Sequence, residues 1–124
     1  MNSYLDRKAK DKSSNKHGRV SEKKAMKKLG AFQVPGSGSI DGFKSDGVSD
    51  KYRYENKSTI NKSWGVKKEI LDKIANEARG FGQLPIVSLS FVSGSGESIH
   101  NGDFVIMRRV DFQELNESAY GENY

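Results

Sequence analysis

A strand, a helix and a second strand follow one another between residues 51 and 92. That succession constrains the fold more than any other feature of the chain. Residues 51–59 read as a strand: Lys51, Arg53, Glu55 and Lys57 fall on one side, Tyr52, Tyr54 and Asn56 on the other. Residues 60–63 read as a turn. From Trp64 to Arg79 the apolar Val66, Ile70, Ile74 and Ala78 recur every four residues, Leu71 and Ala75 widen the stripe, and Gly80 closes it. Residues 84–92 are apolar and β-branched enough for a buried strand. A helix joining two strands points to a mixed sheet with a right-handed crossover.

The flanks add shorter elements. Ser21 is placed to cap a helix that runs to Leu29 and ends at Gly30, with Ala25, Met26 and Leu29 as its apolar stripe. Residues 31–34 read as a strand. Pro35-Gly36-Ser37-Gly38-Ser39 is a tight turn whose amides can approach a ligand closely. Residues 103–109 read as a strand antiparallel to 84–92, joined to it through a loop around 93–102. Residues 110–115 read as a short helix. The expected fold class is α/β, in the order α-β-β-α-β-β-α, with a small mixed sheet of about four strands flanked by helices. Residues 1–19 are expected to be a basic, flexible arm, 20–116 the folded domain, and 117–124 a frayed acidic tail.

A chain of 124 residues that is 34% hydrophobic has room for one modest core. It has no cysteine, which excludes disulfides and thiolate chemistry and suits a reducing compartment. His17 and His100 are too far apart in sequence to suggest a histidine-rich zinc site. No apolar run approaches the ~20 residues of a membrane span, and no signal-like stretch opens the chain, so a cytoplasmic location and no membrane partner are expected. Charge is uneven. Residues 1–29 hold ten Lys and Arg against Asp6, Asp11 and Glu22, a balance of +7, while the rest of the chain nets −2. A basic arm on a near-neutral body is the electrostatic footprint of a nucleic-acid binder, although a solubilising tail has the same composition.

The strand at 51–59 carries the chemistry. Glu55 and Lys57 share a face, and Asp46 precedes Glu55 by nine residues. Two carboxylates can hold Mg²⁺, which keeps most of its waters, and a nearby amine can orient water or neutralise a phosphate. Alone, Glu-x-Lys is more often a solvated ion pair than a catalytic site. The Gly-Ser turn alone is more often a plain loop, and it lacks the Gly-Lys-Ser/Thr of a nucleotide-binding loop. Lys62 reads either as a backbone contact to DNA or as an ordinary turn lysine. Trp64 reads as core or interface, Tyr52 and Tyr54 as core, and His100 as an exposed loop residue.

The run Lys27-Lys28-Leu29-Gly30-Ala31-Phe32-Gln33-Val34-Pro35-Gly36-Ser37-Gly38-Ser39, then Asp46, then Tyr54-Glu55-Asn56-Lys57-Ser58-Thr59, then a helix and Leu84-Pro85-Ile86-Val87-Ser88-Leu89, resembles the PD-(D/E)xK nucleases. Within them it is similar to the small Holliday junction resolvases of archaea and phages, over roughly residues 20–115. The resemblance implies a restriction-endonuclease-like core and a metal-dependent endodeoxyribonuclease that resolves four-way DNA junctions in recombination and repair. It implies Asp46, Glu55 and Glu22 as metal carboxylates, Lys57 as the catalytic lysine, and Ser37 or Ser39 near the scissile phosphate. The cofactor implied is Mg²⁺, with Mn²⁺ able to substitute. Lys23, Lys24, Lys27, Lys28, Ser39 and Lys62 would contact DNA, and a homodimer would supply two sites. The chain departs from the family pattern in having Ser45 where a proline often precedes the first aspartate, and the order Ser-Asp-Gly-Val around it. Asp50 is therefore a rival for the first metal position, and Asp41 remains open as a loop ligand. Cleavage of plain duplex DNA in repair or restriction, and a non-enzymatic nucleic-acid-binding module, are the alternatives.

Overall fold

The computed structural model describes residues 18–34 and 45–121. The arm up to residue 17, the turn with Ser37 and Ser39, Asp41 and the last three residues lie outside them. Helix α1 covers 18–29. It is followed by β1 (Phe32–Gln33), β2 (Gly47–Val48), β3 (Tyr52–Thr59), α2 (Lys68–Gly80), β4 (Leu84–Val92), β5 (Ser98–Ile106) and α3 (Arg109–Tyr120). The class is α/β, with one five-stranded mixed sheet in the order β1-β2-β3-β4-β5 among the described residues. Within that sheet β3 and β4 run parallel and the other pairs antiparallel, and α2 makes the crossover.

The period-two pattern of β3 sorts its residues between two helices. Tyr54 and Ile86 pack with Ala25 and Met26 of α1, joined by Leu29, Ala31, Tyr52 and Met107. The opposite face of β3 presents Arg53 and Glu55 to Glu77 and Lys73 of α2. Ile74 and Ala78 anchor α2, and Leu71 and Ile74 share an apolar hollow with Pro85, Val87 and Ile106. In the register, Glu55 lies beside Val87 and Lys57 beside Leu89. The charged half of that face therefore borders its apolar half.

Two glycines permit close local geometry. Gly30 (φ 68°) closes α1: its N–H donates to Lys27 O at 3.2 Å and the next N–H, of Ala31, to Met26 O at 2.9 Å. This is the left-handed helix stop that glycine adopts at least cost. Gly47 lets β2 lie against α1, since a Cβ there would sit 2.1 Å from Met26 Sδ and 3.2 Å from Phe32 O.

Several boundaries differ from the sequence reading. Residues 18–20 are already helical, so Ser21 is an interior, buried position and not a cap. Helix α2 starts at Lys68, not Trp64, because Lys67 is extended (φ −94°, ψ 132°) and Gly65 is a poor helix former. Val66 is consequently an exposed loop residue. A fifth strand, β2, lies between Asp46 and Asp50. Strand β5 starts at Ser98 and ends at Ile106, which makes His100 a strand residue, though exposed. Helix α3 extends to Tyr120, into the segment expected to fray. Its first turn is fixed by Arg108, which donates to both oxygens of buried Asp111 at 2.7 and 3.0 Å. Val110, Phe112, Leu115 and Tyr120 are exposed along it.

Candidate functional site

Helical spacing aims Glu22 at the sheet. It lies one turn before Met26, and Met26 rests on Gly47, the neighbour of Asp46. Lys23 and Lys27 project outward and are exposed. Asp46 is tied to β3 at two points. Its N–H donates to Tyr54 O at 2.8 Å, and its Oδ2 accepts the Asn56 N–H at 2.7 Å. These two ties bracket Glu55 in the sequence of β3. Asp46 O also accepts the Val34 N–H at 3.0 Å, which joins the end of β1 to the site.

The carboxylates act on one another. Burial, then the charge of Asp46, pushes the Glu55 carboxyl above its ordinary pKa, while Lys73 and Lys57 pull it back. Glu22 is raised to about 7 by burial and by Asp46, with Glu55 adding to the rise and a hydrogen bond from Gln33 opposing it. Lys57 Nζ lies 3.5 Å and Lys73 Nζ 3.8 Å from the same oxygen, Glu55 Oε1. Glu55 Oε2 is buried with no hydrogen-bond partner among the described residues. An acceptor of that kind is costly to bury unless something satisfies it.

Among the described residues no three acidic or histidine side chains already converge tightly enough to cage a metal ion. A hard divalent cation that keeps its waters asks for less, and one or two carboxylates suffice. The donor set fits such an ion. It offers oxygen ligands only, a bare buried oxygen on Glu55, and mutual repulsion that a cation would relieve.

The other expected site residues are dispersed. Asp50 is exposed, and Asp46 is the acid whose charge acts on both Glu22 and Glu55. Lys24 pairs with Glu97, and Lys28 Nζ lies 3.2 Å from Asp103 Oδ2, so these two lysines reach the β4–β5 hairpin instead of pointing freely outward. Lys62 is exposed in the loop after β3. Ser37, Ser39 and Asp41 fall outside the described residues.

No motif in the sequence marks Lys73, Gln33 or Glu77, and Arg53 is marked only as sharing the strand face of Glu55. Lys73 and Glu77 are one turn apart on α2 and carry the polar edge of its inner face. Placing α2 on the Glu55 side of β3 would have found both. No protein-family model matches the chain, and no curated protein matches it. Among the described residues no helix is long and apolar enough to cross a membrane.

Proposed function

We propose that the chain is a Mg²⁺-dependent endodeoxyribonuclease of the PD-(D/E)xK type that cuts branched DNA, a four-way junction in the first instance. The observation that supports the reading is the mutual influence of Asp46, just before β2, Glu55, in the middle of β3, and Glu22, on α1, with Lys57 Nζ 3.5 Å from Glu55 Oε1. Burial and the nearby charge of Asp46 raise the carboxyls of Glu22 and Glu55, and carboxyls perturbed in this way concentrate at functional sites.

Asp46 and Glu55 would hold the metal and Glu22 would complete the set. Mg²⁺ held there would supply Lewis-acid polarisation of a phosphate oxygen and a lower pKa for a bound water. Lys57, one-third exposed beside Glu55, would orient a water for in-line attack and offset phosphate charge. Asn56 fixes the Asp46 carboxylate in place through its backbone N–H. The products would be 5′-phosphate and 3′-hydroxyl ends, as the family resemblance implies. Paired cuts need two sites, so a C₂ homodimer is part of the proposal. The exposed Ile99, Phe104 and Val105 of edge strand β5 and Phe112 and Leu115 of α3 offer apolar surface for it. Lys23, Lys27 and Lys62 would take the phosphate contacts.

The test is cleavage of a four-way junction and of a linear duplex of the same sequence, with and without Mg²⁺. Junction cutting that needs Mg²⁺ is expected, abolished in Asp46→Ala and Glu55→Ala with DNA binding intact or tighter. Normal cutting by either variant would overturn the site. A second reading, a nucleic-acid-binding module without catalysis, is favoured by one observation: both Lys57 and Lys73 already lie against Glu55. It predicts junction binding indifferent to Mg²⁺ and no product.

A further inference from the structure

Next to the carboxylate cluster, where the same face of β3 meets α2, lies a second polar assembly. Ser45 is fully buried. Its N–H donates to Glu77 Oε1 at 2.9 Å. Arg53 Nη1 donates to Ser45 Oγ at 3.1 Å and lies 3.4 Å from Glu77 Oε1. Arg53 Nε donates to Gln83 Oε1 at 2.7 Å, and its guanidinium sits 3.6 Å from the centroid of the Phe81 ring. Gln83 Nε2 in turn donates to Ser49 O at 2.7 Å. The short segment from Ser45 to Ser49 is thus fastened at both ends to α2 and the turn after it, and Asp46 rides on that segment.

We propose that Glu77 and Arg53 are positioning residues that set the carboxylate of Asp46 against β3. Arg53 shares with Glu55 the face of β3 that meets α2, and Glu77 is one turn from Lys73, but the side-chain bonds of Arg53 and Glu77 run to Ser45 and Gln83. They act through Ser45, whose N–H is available only because this residue is not a proline. An exposed ion pair of this kind would hold nothing firmly. Here the side chains of Arg53 and Glu77 are only 13% and 14% exposed, so the charge-assisted bonds to Ser45 are strong and directional. Released from Glu77, the Ser45 amide is left without its acceptor, and the residue next in line is Asp46. The functional consequence rests on Asp46 being a metal ligand, as proposed above; the positioning itself does not.

The experiment measures amide hydrogen exchange in the metal-free, full-length protein, in wild type, Glu77→Ala and Glu77→Gln. The Asn56 N–H reports the Asp46 carboxylate directly, because Asp46 Oδ2 is its acceptor. In Glu77→Ala, exchange at Asn56 and Asp46 is expected to accelerate about tenfold or more, the worth of one charge-assisted hydrogen bond, while β4 amides keep their rates. Glu77→Gln, whose Oε1 can still accept the Ser45 N–H, is expected to show a smaller change. Cleavage in Mg²⁺ should fall in kcat with KM held. Wild-type exchange at Asn56 and Asp46 in Glu77→Ala would overturn the proposal. So would uniform acceleration across the sheet in both variants, which is the mark of a merely structural pair. A wild-type protein that cuts no DNA would sink the nuclease reading, yet the exchange pattern would still decide the positioning.

Discussion

Glu55 Oε1 faces two amines, and their roles should separate by substitution. Lys57 is on the same strand, two residues along, and its Nζ is the closer at 3.5 Å. Lys57→Ala should lower the cleavage rate roughly 10²-fold, the usual loss when an electrostatic stabiliser is removed. Lys57→Arg should not restore it, since a planar guanidinium is no substitute for a compact ammonium. Lys73→Ala should cost about tenfold, the effect of one charge-assisted interaction. Single-turnover kinetics on a junction would rank the two, and equal losses would mean that they act as one unit. Glu22 sets a pH dependence. Its folded-state pKa of about 7 lies above the ordinary 4.5, so the folded chain holds that proton more tightly than the unfolded one. Stability of the metal-free protein should therefore fall as pH rises between about 4.5 and 7 and stay at its lower level above. Burial and the Asp46 charge are the cause. Melting curves across that interval check it, and Glu22→Gln should flatten the trend; an unchanged slope in that variant would assign it elsewhere.

At the scale of elements, the packing of β2 on α1 is the tightest dependency. Gly47→Ala would drive a methyl into Met26 Sδ and should cost about 1–3 kcal/mol by denaturant melting. An unchanged midpoint would show that α1 can back away from the sheet. How far such elements could be read beforehand depends on how local their causes are. Strand β3 and the crossover helix follow from periodicity over eight or more residues, and β4 from a run of apolar and β-branched residues. Strand β2 has two residues and pairs with partners on both sides, so no pattern within it marks it. The start of β5 hides behind Ser98, Asn101 and Gly102, with Asn101 at φ 53°, a sequence that reads as loop. Helix α2 reads four residues too long in the sequence because Val66 continues its apolar spacing by coincidence. At the site, the shared face of Glu55 and Lys57 is legible from strand alternation, though not that the pair has a catalytic use. Lys73, Arg53 and Glu77 are not, since their meeting depends on which face of β3 receives α2.

For the molecule as a whole, charge and chain are distributed differently. Helix α1 already includes Gly18 and Arg19, so a truncation should remove residues 1–17 and with them Arg7, Lys8, Lys10, Lys12 and Lys16. DNA binding should weaken, and the slope of log affinity against log salt should flatten by ~0.9 for each phosphate that the shortened chain no longer neutralises. Preference for a junction over a duplex should survive, because it would come from the spacing of two sites. A salt series with both proteins and both DNAs measures this, and an unchanged slope would free the arm of any role in gripping DNA. The close approach of Met26 to Gly47 also governs how the protein should respond to oxidants. The chain has no cysteine, so methionine is its only sulfur. Met26 is 1% exposed, which shields the thioether while the fold is closed. Should α1 lift and the sulfur be oxidised, the added oxygen would make it polar and larger, with no room to return beside Gly47. Peroxide should then inactivate the protein in step with opening of α1, faster on warming, and sulfoxide reductase treatment should restore it.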